Sequence, residues 1–191
     1  MNEELLSLRE SLRQKRPMDW DALPDIPLYM DQVLSYMDRQ VIRSEEGDTL
    51  TSAMVNNYTK SGLVPRAEGK KYSREHLCYL TAICVLKQVL SAKDMALVVE
   101  RKVDEGEPVE ALYRLFCESL DQALLGSADE MEAYLEEDRL ADGAIHFALL
   151  AYAAGLVSRR YVASLRREKE AREPREIKKE KKGKHAAGGE E

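Results

Sequence analysis

Cysteine, glycine, proline and aromatic residues are all scarce in this 191-residue chain, which has three Cys, ten Gly, six Pro and 6% aromatics. Three cysteines without CxxC spacing exclude a disulfide framework, and Cys78, Cys84 and Cys117 are expected as reduced thiols in apolar helical surroundings. So little Gly and Pro excludes collagen-like and low-complexity chains, while 44% hydrophobic and 34% charged residues fit a helix-rich soluble protein. Long apolar runs are missing too. Ala144 to Val157, the longest weakly polar stretch, carries a His and falls short of the roughly 18 to 20 residues that cross a bilayer, so a buried helix and no membrane partner are expected. The opening MNEELLSLRE is acidic where a signal or transit peptide is basic and then apolar, which points to a cytoplasmic protein.

Enzyme signatures are equally absent. The chain has no GxGxxG, GxxxxGK[ST] or GxSxG. His76, His146 and His185 are far apart, and His76 with Cys78 and Cys84 lacks the spacing by which two ligands converge on zinc. His146, in an apolar run, is expected to be a hydrogen-bonded core residue. The acids between 77 and 138 scatter over helix surfaces. No enzyme, catalytic residue, cofactor or metal ion is therefore expected.

The net charge of −6 is unevenly spread. Residues 1–48 hold 6 basic and 11 acidic side chains, and residues 77–138 hold 5 and 14. Residues 139–191 hold 13 and 8. Between the acidic segments lies a positive island, with Lys60, Arg66, Lys70, Lys71 and Arg74 against Glu68 and Glu75. Screening confines each charge to roughly 8 to 10 Å, so such an island can meet phosphates despite the acidic total. It fits an ordinary solvated face as well.

Apolar periodicity sets the element order. Glu3 to Arg16 reads as a short docking helix, stopped by Pro17, and Trp20 in the linker PMDWDALPDIP as its pin onto the body. Leu28 to Arg43 reads as an amphipathic helix, broken by SEEGD. Thr51 is the expected N-cap of a short helix closed by Gly62. LVPRAEGKKY, with Pro65 and Gly69, reads as a small β-hairpin. Ser73 caps a helix to about Leu90 that is apolar on nearly every side and so central, and Ser91 with Asp94 forms the next capping box. Pro108 to Gly126 and Leu140 to about Lys169 are helical, with one more turn at Met131 to Leu135 and Pro174 ending the last helix. The division expected is a docking helix and linker over 1–23, a winged domain over 24–105, a helical block over 106–173 and a disordered charged tail over 174–191.

Helix, loop, short helix, hairpin, helix is the order of a winged helix-turn-helix. At about 100° per residue, Thr51, Met54, Val55 and Tyr58 of the short helix cluster toward the core, leaving Ser52, Ala53, Asn56, Asn57 and Lys60 outward. Asn is a poor helix former, so two in a short helix weaken it unless their amides serve another purpose. Reading adenine N6 and N7 in a major groove is one such purpose; plain solvent exposure is the other. Thr51, Ser52, Asn56, Asn57 and Lys60, with Arg66, Lys70 and Lys71 on the hairpin and Arg74 at a helix N-terminus, form the candidate DNA-binding set.

VNNYTKSGLVPRAEGKKYSREHLCYLTAICVLKQVLSAKDMALVV resembles the DNA-binding domain of MerR-type regulators, with Tyr58, Gly62, Leu63, Pro65, Tyr72, Leu77 and Leu80 in matching places. Asn56, Asn57 and Thr59 stand where those proteins carry Arg, Tyr and Glu, and the loop IRSEEGDT is longer and more acidic. From PDIPLYMDQVLSYMDRQ onward, over roughly residues 24–105, the chain resembles the bacterial domain-of-unknown-function 1836 family. The resemblance implies a mainly α protein, a MerR-like winged helix-turn-helix with a small β-hairpin wing followed by an all-α block, acting as a transcriptional regulator on double-stranded DNA. A protein-interaction module that keeps the fold without DNA is the alternative. A homodimer through the C-terminal half and a small apolar effector within it are two further readings.

Overall fold

The computed structural model describes residues 2–40 and 49–172; the predicted helix end at 41–43, most of the acidic loop and the predicted tail at 174–191 lie outside them. Seven α-helices occur among these residues: α1 Glu3–Gln14, α2 Met30–Met37, α3 Ser52–Lys60, α4 Arg74–Leu86, α5 Ala92–Asp104, α6 Val109–Met131 and α7 Leu140–Arg172. Short 3-10 turns at Trp20–Ala22, Glu132–Tyr134 and Glu137–Arg139 join them. The chain is thus mainly α, as its composition predicts.

The centre is α4. Leu77, Leu80 and Thr81 are 0% exposed, and Cys78, Ile83 and His76 are buried with them. A 13-residue helix apolar on nearly every side must be surrounded, and α2 and α6 lie against it. Val33 and Met37 of α2, Val55 of α3, Met95 of α5 and Tyr113 of α6 complete one continuous core. Thr81 Oγ1, the polar atom inside it, reaches Met37 Sδ at 3.8 Å. This core crosses the expected 105/106 boundary, because Tyr113, Phe116 and Cys117 pack on it.

Caps start the helices where the sequence places them. Thr51 Oγ1 accepts from Met54 N (3.2 Å) and Ser91 Oγ from Asp94 N (3.2 Å). Ser73 N and its hydroxyl both donate to His76 Nδ1 (3.1 and 2.8 Å), which leaves the ring proton on Nε2. Among the described residues α2 ends at Met37, short of the expected Arg43, and α6 runs through Gly126 to Met131.

The leader lies against the helical body. α1 lies along α6 with the ion pairs Arg9–Glu132, Arg13–Asp129 and Arg16–Asp121. Trp20 packs half-buried on the core beneath the Arg74 guanidinium, 5.5 Å from its ring centroid. Tyr113 donates from its hydroxyl to Met18 O (2.8 Å), and Met18 N donates to Gln40 Oε1 (3.0 Å).

Two expectations are corrected, and a third, the hairpin wing, is met without strands. The small β-hairpin wing forms no strand among the described residues, only the isolated bridges Leu28 to Tyr72 and Glu68 to Lys71. The segment is too short, and Pro65 too near its start, for a ladder to propagate. Ala144 to Val157 is helical but not buried: Ile145, Leu149, Tyr152 and Val157 are all more than half exposed. Apolar composition predicts burial only when a neighbour is at hand, and α7 meets the body at its ends, on the Glu132–Tyr134 and Glu137–Arg139 turns and on α5. His146 is hydrogen-bonded but outside the core, with Nε2 2.7 Å from Glu130 Oε2 and its ring stacked on Tyr134. Among the described residues one helical stretch, Glu137–Arg172, is long and apolar enough by length and composition to cross a membrane.

Two substitutions test this packing. Leu80→Ala leaves a cavity at the centre and is expected to cost about 2–5 kcal/mol in chemical denaturation. Gly143→Ala sets a Cβ 2.9 Å from Tyr134 Cβ, so α7 must shift on its seat, and a loss of about 1–3 kcal/mol is expected.

Candidate nucleic-acid interface

The local sequence of α3 fixes which side chains face out. Val55 is 0% exposed, with Met54 and Tyr58 half-buried beside it, and this seats the helix on the core. Ser52, Ala53, Asn56, Asn57 and Lys60 are left exposed, as helical geometry predicts; Thr51, expected toward the core, is exposed as well, because as N-cap it stands outside the helical turn and its Oγ1 accepts from Met54 N. Gly62, at φ +75°, turns the chain after Lys60. Leu63 N and Val64 N then both donate to Tyr58 O (2.9 and 3.3 Å), and Leu63 and Val64 plug into the core at 1% exposure. That plug holds the end of α3 and the start of the following loop in one rigid arrangement.

The loop returns through a tight turn. Lys71 N donates to Glu68 O (2.9 Å), with Gly69 at φ +54° and Lys70 at φ +65°, the paired positive φ values of a type I′ hairpin turn. Gly fits such a position without cost; Lys does not. Tyr72 then exchanges both backbone hydrogen bonds with Leu28 (2.9 and 2.8 Å), so the turn is tied to the chain two residues before α2.

Arg66, Lys70 and Lys71 stand exposed on this loop. Among the described residues Lys60, Arg66 and Lys70 form no ion pair, so an anion can engage them without first breaking one. Lys71 Nζ lies 5.4 Å from the centroid of Tyr29, and Tyr29 is 51% exposed. Arg74 stands apart: half-buried on Trp20, it pins the linker. Tyr29 is not among the residues expected from the sequence; its signal is an aromatic residue placed one position before an amphipathic helix and outside its apolar face.

Chemically, two amides and a lysine on one exposed helix face offer paired donors and acceptors beside a cation, and the turn adds cations at a fixed offset. The cleft between α5 and α7, about 300 Å³, is by contrast lined by Leu97 and six charged side chains, an unsuitable container for an apolar effector. Neither are Cys78 and Cys117 poised for chemistry. Burial pushes the Cys78 thiol up to about 12, and burial also raises Cys117.

A family model described as Domain of unknown function (DUF1836) matches residues 18–116. The chain belongs to that family. No curated protein and no solved structure matches the chain. The span typical of the domain-of-unknown-function 1836 family thus takes in the Trp20 linker, α2, α3, the turn, α4, α5 and the first two turns of α6, and every residue of the candidate site lies within it.

Thiol labelling checks the chemistry of this core. At mildly alkaline pH, Cys78 is expected to resist alkylation in the native chain and to react once denatured, as read by peptide mass spectrometry.

Proposed function

We propose that this family member is a transcriptional regulator that binds double-stranded DNA through a MerR-like winged helix-turn-helix, with α3 in the major groove and the turn at Glu68–Lys71 as a reduced wing on the adjacent backbone. The observation carrying this reading is the outward face of α3, where Asn56, Asn57 and Lys60 are exposed while Val55 holds the helix to the core. Asn56 and Asn57 act at base edges, where a good amide pair with adenine is worth about 1–3 kcal/mol. Thr51, Ser52, Lys60, Arg66, Lys70 and Lys71 act at phosphates, with the Arg74 cation behind them. Helix 74–86 beneath provides a rigid base, which groove reading requires. A cytoplasmic location follows from the same reading.

The second reading, a protein-interaction module that keeps the fold without DNA, is favoured by the net charge of −6. Titration against random duplexes separates the two. The DNA reading expects binding at low salt that weakens with a log–log slope near −0.9 per phosphate contacted; salt-independent or undetectable binding supports the module.

Three variants then assign the parts. Lys70→Glu with Lys71→Glu is expected to weaken binding to every duplex, in fluorescence anisotropy, and to flatten the salt slope by about 2. Asn56→Ala is expected to relax preference at one base pair of a selected site and leave random-duplex affinity in place. Lys70→Gly removes one cation and suits φ +65°, so it is expected to lower affinity while melting temperature holds or rises.

A further inference from the structure

Between the linker and α2 lies a groove of about 640 Å³, within the size range of small-molecule sites and sharing no residue with the exposed face of α3. Gln32, Ser35, Tyr36 and Arg39 recur at steps of three, one and three, which sets them along one side of α2 and its C-terminal turn, away from the buried Val33 and Met37. Met18, Pro24 and Leu28 supply the apolar wall. Met18 N, donating to Gln40 Oε1 at 3.0 Å, ties the linker to α2, and Met18 itself is 44% exposed, so the wall is open to an entering molecule. A slot with one apolar and one hydrogen-bonding wall suits a flat molecule that combines both characters.

The charged side chains define the two ends of an occupant. Arg39 and Asp31 both line the groove, and neither forms an ion pair among the described residues. Arg16, the other cation, is already held by Asp121, Leu12 O and Lys15 O. One open guanidinium takes one carboxylate. Asp31 stands eight residues before Arg39, roughly 12 Å along a helix axis, and there repels a second carboxylate but accepts from a hydroxyl. The Tyr36 hydroxyl is closed off from solvent and makes no well-formed hydrogen bond, with the Gln40 amide as its polar neighbour. A buried hydroxyl in that state is destabilising, and a ligand oxygen seated beside Gln40 supplies the acceptor it lacks.

Other ligand classes fit less well. A polyphosphate calls for several open cations, and the groove offers one. A metal ion would face two guanidinium groups and a single carboxylate. A purely apolar molecule would strip water from Arg39 and Asp31 and give nothing in return.

We infer that this groove binds a small hydroxylated aromatic monocarboxylate, with its carboxylate on Arg39, its ring against Met18 and Pro24 over Leu28, its hydroxyl toward Asp31, and the Tyr36 hydroxyl donating to a ligand oxygen. The site uses no residue of the candidate DNA-binding set, so its occupancy is measured without DNA.

Isothermal titration of the full chain with para-hydroxycinnamate and its saturated analogue para-hydroxyphenylpropionate tests it. At least one of the two is expected to bind at a single site with a dissociation constant of about 100 μM or lower. Arg39→Gln is expected to weaken that binding at least about 10-fold while far-ultraviolet circular dichroism stays unchanged, and the ligand's neutral amide to lose as much on the wild type. Replacing the ligand hydroxyl by a second carboxylate is expected to weaken binding too, and Asp31→Asn to recover part of that loss. Tyr36→Phe is expected to lower affinity about 5-fold. In methionine-methyl NMR the Met18 signal is expected to move during the titration, while that of Met131, at the end of α6, stays in place. No binding of either acid, binding indifferent to Arg39→Gln, or saturation that leaves the Met18 signal unmoved overturns the proposal.

Discussion

Burial of α4 on all sides is the constraint from which the remaining arrangement follows. A helix with Leu77, Leu80 and Thr81 wholly removed from solvent cannot lie at a surface, so α2, α3, α5 and α6 must contribute side chains to the same core. Burial of this kind is worth roughly 1.5–3 kcal/mol per large aliphatic side chain. Surface ion pairs, by comparison, contribute about 0–1 kcal/mol each. The three pairs along α1 and α6 therefore orient the leader, while the half-buried leucines of α1 and the stacking of Arg74 on Trp20 account for more of its attachment.

That core also governs the candidate site. α3 has nine residues, too few to be stable alone, and its two asparagines weaken it further. It persists because Val55 is inserted into the core, Thr51 caps its first turn, and Leu63 and Val64 lock its end through Tyr58 O. The exposed face is thereby free of any structural duty, which is the condition under which poor helix formers can be kept for what their amides bind. The left-handed Lys70 points the same way: a position that Gly fills without strain holds a cation, and the cost falls on stability.

Much of this was legible in the sequence, because periodicity and capping are local. The starts of α3, α4 and α5 are marked by Thr51, Ser73 and Ser91, and the outward set of α3 follows from helical geometry around a single buried valine. Non-local facts were harder to read. The extent of pairing in 63–72 depends on whether a second strand lies beside it, and only Leu28 does. The engagement of Arg74 depends on a tryptophan 54 residues away in sequence. For α7 the inference from apolar composition to burial failed, because composition reports what a segment can bury and is silent on which molecule provides the cover.

The limits of the family match acquire a physical sense from the linker. The matched span begins at Met18 and ends at Phe116, and its two ends touch: Tyr113 donates to Met18 O, and Met18 N reaches Gln40 beside α2. A unit whose first and last segments close on each other can keep its core while what is appended to it changes. α1, the later turns of α6 and all of α7 lie outside that closure, and α7 returns to it on α5, where Arg166 pairs with Asp94 and Lys169 with Glu100. The exposed apolar side chains of α7 therefore sit on an appended helix, while Asn56 and Asn57 sit on a helix seated in the core of the matched span.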